Sequence, residues 1–469
     1  MRFAFYCFVA FAVAFVQRGD AKENRPNILI LFADQWRAEA FGATGNPDVI
    51  TPHLDSLRRQ SIDFKNAVAA NPVCCPTRAS MLTGQRALTH GVFMNDVPLA
   101  TDAVTLGKVF QSAGYDTAYI GKWHLNGNGR SSFIPRERRQ GFDYWKVLEC
   151  THDYNNSSYY ADGPEKLKWE GYDAIAQTED AAKYLRARGK DDKPFVFMLS
   201  WGPPHDPYFA APKKYQAMYD AEKLTLRGNV PNEAAAETRR ILAGYYAQCT
   251  VLDDCVGDLM KTLRETGLEE NTIVIFTADH GDMLGSHGLA KKQKPWDESI
   301  RIPLLFHWPK AFGRNGRALD AVFSSEDFLP TVLGLCDLKV PKTVEGINYS
   351  SFMRGGRNPS DGAALIECIT PFGEWTRTRG GKEYRGIRTT QHTYVRDLNG
   401  PWLLFDNQAD PLQMTNLVGD PAHAKLERKL EDALKRKLRK SGDEFLPGDA
   451  YVKKWGYKTN ATGTVSYTN

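Results

Sequence analysis

Two segments of the chain read alike. Asn27-Ile28-Leu29-Ile30-Leu31-Phe32-Ala33 and Thr272-Ile273-Val274-Ile275-Phe276-Thr277-Ala278 are short, apolar and rich in β-formers. Each ends on an acid: Asp34-Gln35 follows the first, Asp279-His280-Gly281 the second. An apolar run of this length, without polar alternation, suits a strand covered on both faces, as in a parallel sheet between two helical layers. Further strand candidates lie at 116–121, 195–200 and 300–308, and helical patterns at 51–60, 105–113 and 234–266 separate them. Thr51 can cap the first of these helices ahead of Pro52. The alternation predicts an α/β sandwich with a large, mostly parallel sheet. Polar residues at the strand ends then gather along one edge, where open α/β sheets bind ligands.

After about Pro359 the pattern changes. Short strand candidates at 364–369, 384–397 and 402–406 precede one charged helix at 421–440, whose lysines and arginines read as a solvated face. The expected organisation is a leader over 1–21, a main domain over 22–359 and a smaller C-terminal α+β subdomain over 360–469. The leader rests on Arg2, the apolar run 3–16 and the small-residue site Gly19-Asp20-Ala21. That run is too short to span a bilayer, so it reads as a signal peptide. The mature protein is expected to be exported (periplasmic, extracellular or lysosomal) and free of the membrane. A net charge of +4 on 469 residues gives no argument for nucleic acid or a membrane surface. Of the eight cysteines, Cys7 lies in the leader and no C-x-x-C occurs, which speaks against a zinc ribbon. Cys75, Cys150, Cys249, Cys255, Cys336 and Cys368 are available for disulfides in an oxidising compartment. Asn155, Asn156, Asn348 and Asn460 begin N-x-Ser/Thr sequons, which matter only in a eukaryotic source.

Between the two acid-ended strands lies Val73-Cys74-Cys75-Pro76-Thr77-Arg78-Ala79-Ser80-Met81-Leu82-Thr83-Gly84-Gln85. Pro76 suits a first helical position and Gly84 a helix end, so Cys74 is expected just before a helix N-terminus. The dipole and free N–H groups favour negative charge there, and Arg78 can share that face. A cysteine so situated is a reactive, low-pKa thiol; the other reading is a buried structural thiol or half-cystine. Asp34, Gln35, Asp279 and His280 offer two carboxylates, an amide oxygen and an imidazole, a set that suits calcium or magnesium over zinc. Taken singly, each pair also reads as a cap or turn. Gly121-Lys122-Trp123-His124 follows a strand, and prolines on both sides hold His205 in the loop Gly202-Pro203-Pro204-His205-Asp206-Pro207.

Cys74-x-Pro76-x-Arg78 followed by Leu82-Thr83-Gly84, with the other motifs in the same order, resembles the formylglycine-dependent sulfatases of the alkaline phosphatase superfamily. The likeness runs from Asn27 to about Asn416. It implies an alkaline-phosphatase-like α/β/α sandwich in which a separate maturation enzyme oxidises Cys74 to formylglycine, while Cys75 stays a thiol. One hydroxyl of the hydrated aldehyde attacks sulfur and the second drives release of sulfate. Asp34, Gln35, Asp279 and His280 match the family's metal ligands, with position 74 as a further ligand. Calcium is the expected ion, magnesium and manganese the alternatives. Lys122 matches a lysine on the sulfate oxygens, His124 a histidine on the formylglycine hydroxyl and His205 the general acid for the leaving alcohol. Arg78 matches a contact to formylglycine or to the ligand carboxylates. A sulfate-binding lysine precedes a Pro-aromatic-acid segment in the family. Lys292 fits that spacing ahead of Pro295-Trp296-Asp297, with Lys291 and Lys294 beside it. Many members carry Asp for Gln35 and Asn for His280; those resembling phosphonate monoester hydrolases carry Gln and His.

The expectation is therefore an exported sulfatase acting on a sulfated carbohydrate. The alternatives are a phosphonate monoester or phosphodiester hydrolase on the same scaffold, or a noncatalytic binder of sulfated glycans. Asn95, Asp96, Tyr154, Tyr159-Tyr160 and Trp375-Thr376-Arg377 are the candidates for lining a sugar subsite.

Overall fold

The computed structural model describes residues 25–188 and 193–466; the expected leader, with Cys7, lies outside the described residues. Eight strands form the main sheet: β1 (Asn27–Ala33), β2 (Ile62–Val68), β3 (Asp116–Lys122), β4 (Tyr144–Leu148), β7 (Phe195–Ser200), β8 (Thr272–Ala278), β9 (Leu304–His307) and β10 (Arg317–Ser324). β5 (Ser158–Tyr159) and β6 (Leu167–Lys168) make a separate short ribbon. The main order is β10-β2-β9-β8-β1-β7-β3-β4, and only β9 runs antiparallel to its neighbours. β1, β7 and β8 sit at the centre and are buried along nearly their whole length, which is why they carry no polar alternation.

Three local expectations change. The segment expected as a strand at 300–308 splits into a helical turn, Asp297–Ile300, and β9. Pro303 lacks a ladder donor, so pairing begins after it. Thr51 does not cap the helix Pro52–Arg59. Asp253, two hundred residues away on the helix Ala235–Glu265, accepts the N–H groups of His53 (3.1 Å) and Leu54 (2.7 Å) instead. All seven described cysteines are free and buried, so the six thiols offered for disulfides stay unpaired.

A second, antiparallel sheet runs β11 (Ala363–Cys368), β12 (Tyr384–Thr389), β13 (His392–Asp397), β14 (Gly400–Asp406). The expected single strand at 384–397 is thus a hairpin. One face packs Leu365, Ile387, Tyr394 and Leu404 on Leu430, Leu434 and Leu438 of the helix Ala424–Ser441. The other sets Ala364, Ile366, Val395 and Phe405 against Val68, Ile300 and Val322 of the main body. The period-two alternation of these strands is the signature of a sheet held between unlike partners. The chain beyond that helix returns to the main core: Tyr457 donates to the Gly91 carbonyl (2.8 Å) and Tyr451 packs in the main cluster.

Candidate active site

The C-terminal ends of β8, β1, β7 and β3, neighbours in the sheet, meet at one side chain. Arg78 donates from Nε to Asp279 Oδ2 (3.1 Å), from Nη2 to Asp34 Oδ2 (3.0 Å), and from Nη1 to Ser200 Oγ (2.8 Å) and the Lys122 carbonyl (3.0 Å). Its guanidinium also lies 4.9 Å from the Phe32 ring centroid. Burial works against the cation, and Asp279 and Asp34 more than reverse that, so it stays charged. The Asp34 carboxylate also accepts Lys122 Nζ at 2.6 Å. Burial opposes its charge, yet Lys122, Arg78 and Lys292 hold it well below the usual carboxylate range. At Gln35 the backbone turns through φ +66°, a conformation rare outside glycine. The turn lets Gln35 N–H donate to Asp279 Oδ1 (3.0 Å), while its carbonyl accepts the Tyr245 hydroxyl (2.9 Å).

Cys74 is the first residue of the helix Cys74–Thr83, two residues earlier than Pro76 suggested. Proline remains tolerable in that first turn because the early N–H groups have no helical acceptor. Asn95 Oδ1 satisfies one of them, the N–H of Cys75, at 3.1 Å. Gly84 ends the helix at φ +66° as expected. Around the Cys74 sulfur stand Lys292 Nζ (3.2 Å), His280 Nε2 (3.3 Å), Lys122 Nζ (3.7 Å) and Asp34 Oδ1 (3.8 Å). Burial and Asp34 push the thiol up; Lys122, Lys292 and His280 outweigh them and hold it well below an ordinary cysteine.

These groups fit a divalent cation. Ligand atoms of Asp34, Cys74, Asp279 and His280 lie within 4.8 Å of one another, and all four residues are buried. His280 Nδ1 sits 2.8 Å from the Gly281 carbonyl. Its Nε2 faces Asp34 Oδ1 (3.7 Å) and Asp279 Oδ1 (3.6 Å); burial opposes a charge on the ring, and Asp279 outweighs it and raises His280 above its ordinary value. An Nδ1 proton held by a backbone carbonyl, with Nε2 turned to the cluster, is the arrangement usual for a metal-bound histidine. Gln35 Nε2 donates to Asp282 Oδ2 (2.7 Å), and its Oε1 lies 3.3 Å from the same Lys292 Nζ that reaches Cys74. Asp282 thus orients the amide oxygen towards the cluster. Two carboxylates, an amide oxygen and one imidazole make a hard donor set.

Of the three lysines read as alternatives, the structure brings Lys292 to Cys74. Lys291 pairs with Asp206, and Lys294 donates to the Lys292 carbonyl (2.9 Å). Lys292 Nζ also lies 2.7 Å from His205 Nε2, while His205 Nδ1 faces the Asp206 carbonyl at 2.9 Å. Burial, then the Lys292 charge, hold His205 well below its ordinary value, so the ring accepts from the ammonium. His124 shares a cavity of about 280 Å³ with Cys74, Lys122, His205 and Lys292. Its Nε2 lies 3.2 Å from Asp96 Oδ1, and Arg130 clamps that carboxylate through Nε (2.9 Å) and Nη2 (2.7 Å). A larger groove of about 700 Å³ lies between the helices Asp173–Arg188 and Ala235–Glu265, and none of these residues lines it.

Residues 26–338 match the family model described as Sulfatase, and 285–440 match N-sulphoglucosamine sulphohydrolase, C-terminal. The chain belongs to the sulfatase family. An ulvan-active sulfatase of Formosa agariphila is 44% identical over 440 residues, covering 92% of this chain and 85% of that protein. An endo-4-O-sulfatase of Bacteroides thetaiotaomicron is 30% identical, covering 85% and 89%. The solved structure of BT4656 in complex with its substrate D-glucosamine-2-N,6-O-disulfate matches with TM-score 0.79 at 25% identity, covering 91% of this chain and 100% of that one. This sulfatase is a sulfuric ester hydrolase on an alkaline-phosphatase-like fold.

Several participants carried no sequence signal strong enough to name them. Ser200 ends β7 and reads as the last residue of an apolar strand. Asp282, which orients Gln35 and also accepts the Tyr208 hydroxyl (2.6 Å), looked like part of a turn. His152 stacks on His205 with centroids 4.8 Å apart and rings 7° from parallel, a contact between distant loops. Of the sugar-lining candidates, Asn95 and Asp96 do line the cavity. Tyr154 instead supports the His205 loop, donating to the Gly202 and Asp206 carbonyls (3.3 Å each). Tyr159 stacks on Trp169 beside the short ribbon.

Proposed function

We propose that this sulfatase is an exported enzyme that removes sulfate from a sulfated carbohydrate, with residue 74 matured to formylglycine and a calcium ion in the acidic cluster. Magnesium and manganese are the alternative ions. The observation that carries the reading is the convergence on the residue 74 side chain of two ammonium groups, Lys292 at 3.2 Å and Lys122 at 3.7 Å, beside the buried donors. The activities for which the ulvan-active and endo-4-O-sulfatase relatives are named support a polysaccharide substrate.

A hydrated formylglycine would supply the hydroxyl nucleophile, and the maturation enzyme that makes it is an obligatory partner. A divalent ion held by Asp34, Gln35, Asp279 and His280 supplies positive charge beside that hydroxyl and the sulfate. The protein's own residues do the rest. Lys122 and Lys292 bind the non-bridging sulfate oxygens and oppose the charge that builds there. The Lys292–His205 pair holds a proton between Nζ and Nε2, ready for the leaving sugar oxygen. Asp96 faces His124 Nε2 and fixes that ring in the cavity wall near residue 74, where it takes part in the proton transfer that accompanies sulfate release.

The test begins with protein from a host that matures sulfatases. The tryptic peptide 66–78 should carry an aldehyde at residue 74 and a thiol at 75, and Cys74→Ala should abolish hydrolysis of sulfated oligosaccharides. Two thiols in that peptide, with a control sulfatase from the same host converted, would overturn the reading. Gln35 and His280 favour one second reading, a phosphonate monoester or phosphodiester hydrolase. Faster cleavage of a phosphodiester than of its matched sulfate ester would put it first.

A further inference from the structure

The outer wall of the 280 Å³ cavity comes from the loop at 372–379, ahead of β12. The loop is pinned beside Lys292: Gln293 Nε2 donates to the Phe372 carbonyl (2.9 Å) and Gln293 Oε1 accepts the Phe372 N–H (3.3 Å). Two of the three residues expected to meet sugar are committed elsewhere. Trp375 is buried in the core of the second sheet, with Lys294 Nζ 5.3 Å from its ring centroid. Arg377 pairs with Glu383 and, at 3.1 Å, with Asp449. Their neighbours Glu374 and Arg379 line the cavity in their stead. Both are exposed, and neither side chain makes a hydrogen bond or ion pair among the described residues.

The other cations of the cavity are assigned. Lys122 bonds Asp34, Lys292 reaches residue 74 and His205, and Arg130 clamps Asp96. Among the described residues Arg379 is the guanidinium of this wall with no acid paired to it, and it comes from the loop at 372–379 rather than from the residues set around Cys74. A guanidinium matches a carboxylate or sulfate through two parallel N–H bonds. Glu374, from the same loop, repels such a group and accepts hydroxyl hydrogen bonds, so the two together read a sugar that is anionic at one end only.

We propose that Arg379 binds a second anionic substituent of the substrate, a carboxylate or a further sulfate, on the sugar seated beside the scissile ester, with Glu374 bonding that sugar's hydroxyls. The assignment rests on the proposed reading of this cavity as the sulfate-ester site. It makes the natural substrate a polyanionic glycan recognised at two charges.

The experiment uses the full-length matured enzyme and two matched pairs of sulfated oligosaccharides. One pair differs only in a free uronate against its methyl ester, the other only in a second sulfate against a hydroxyl. The wild type should prefer the charged member of one pair by about 10- to 100-fold in kcat/KM, the scale of one charge-assisted bond. That pair identifies the substituent. Arg379→Gln should bring the ratio close to one, and Arg379→Lys should retain part of it. No preference in either pair, or one that survives Arg379→Gln, overturns the assignment. Hydrolysis of p-nitrophenyl sulfate separates the two levels. If the wild type cleaves it without charge preference among the glycans, only Arg379 is wrong; if it cleaves no sulfate ester at all, the site reading falls and Arg379 with it.

Discussion

Arg78 is the strongest lever on this structure. Replacing it with methionine keeps much of the side-chain length and removes the one group that touches all four central strand ends. The two carboxylates it serves are fully buried. Asp34 retains Lys122 at 2.6 Å, so Asp279 is the carboxylate left without a permanent cation, its partners the Gln35 and His280 N–H groups at 3.0 Å each and His280 Nε2 at 3.6 Å. Breaking a buried ion pair from one side costs about 3–5 kcal/mol. Leaving Ser200 Oγ without this donor adds roughly 1 kcal/mol, while the Lys122 carbonyl keeps the Tyr119 hydroxyl (2.8 Å). At about 2 °C per kcal/mol, the low end for large domains, melting should fall by on the order of 10 °C. The assay is thermal unfolding with a chelator present, repeated in millimolar calcium. Calcium should raise Tm more in the variant than in the wild type, because the cation meets carboxylates that have lost their counter-charge. Arg78→Lys should recover only part of the loss, since one ammonium cannot reach four acceptors. A chelated Arg78→Met melting within about 2 °C of wild type would refute the idea that this guanidinium ties the strand ends together.

Two further outcomes follow from buried carboxylates. Asp96→Asn removes the charge that orients His124 and that Arg130 clamps; kcat should drop about 10- to 100-fold with KM moving much less. A change confined to KM would instead make Asp96 a substrate contact. Asp173 begins the helix Asp173–Arg188, and burial pushes its carboxyl up to about 8, with Oδ1 unpartnered. Between its unfolded value near 3.8 and about 8 the folded state binds more protons than the unfolded one, so this group makes stability fall as pH rises through that window. Asp173→Asn should therefore gain stability over wild type at pH 8 and not at pH 3.5, measured by urea unfolding; an equal difference at both would show that Asp173 does not titrate with folding.

The sheet and the deep residues were legible because each sits in a segment whose local pattern and global position agree. The apolar runs could only be central strands, and a residue one step past such a strand has one direction to face. Legibility ended where one segment depends on another far along the chain. The cap of the helix Pro52–Arg59 comes from Asp253, and the orientation of Gln35 comes from Asp282. The loop at 372–379 failed in a different way. Its aromatic and its arginine were the right residue types, but two successive 3₁₀ turns, Gly373–Trp375 and Arg377–Arg379, shift which positions face inward. Tight turns carry no hydrophobic period from which that phase can be read.

Charge balance connects the precursor to the proposed mature site. Around position 74 the cations are Arg78, Lys122 and Lys292, and the carboxylates are Asp34 and Asp279. The Cys74 thiol is the further group in this cluster able to carry negative charge: against burial and Asp34, Lys122, Lys292 and His280 hold it well below an ordinary cysteine. Under the proposed function, maturation replaces that thiol with a neutral aldehyde. Lys292 then has only neutral neighbours, the Gln35 amide and the His205 ring, within hydrogen-bond reach. A bound divalent ion would add further positive charge, which the single charge of a sulfate ester lowers but does not cancel. Under the proposed function that anion sits between the two ammonium groups, within reach of residue 74. Oxidising the cysteine therefore does two things with one change: it creates the nucleophile and it removes a group able to carry the negative charge that the substrate's sulfate then supplies.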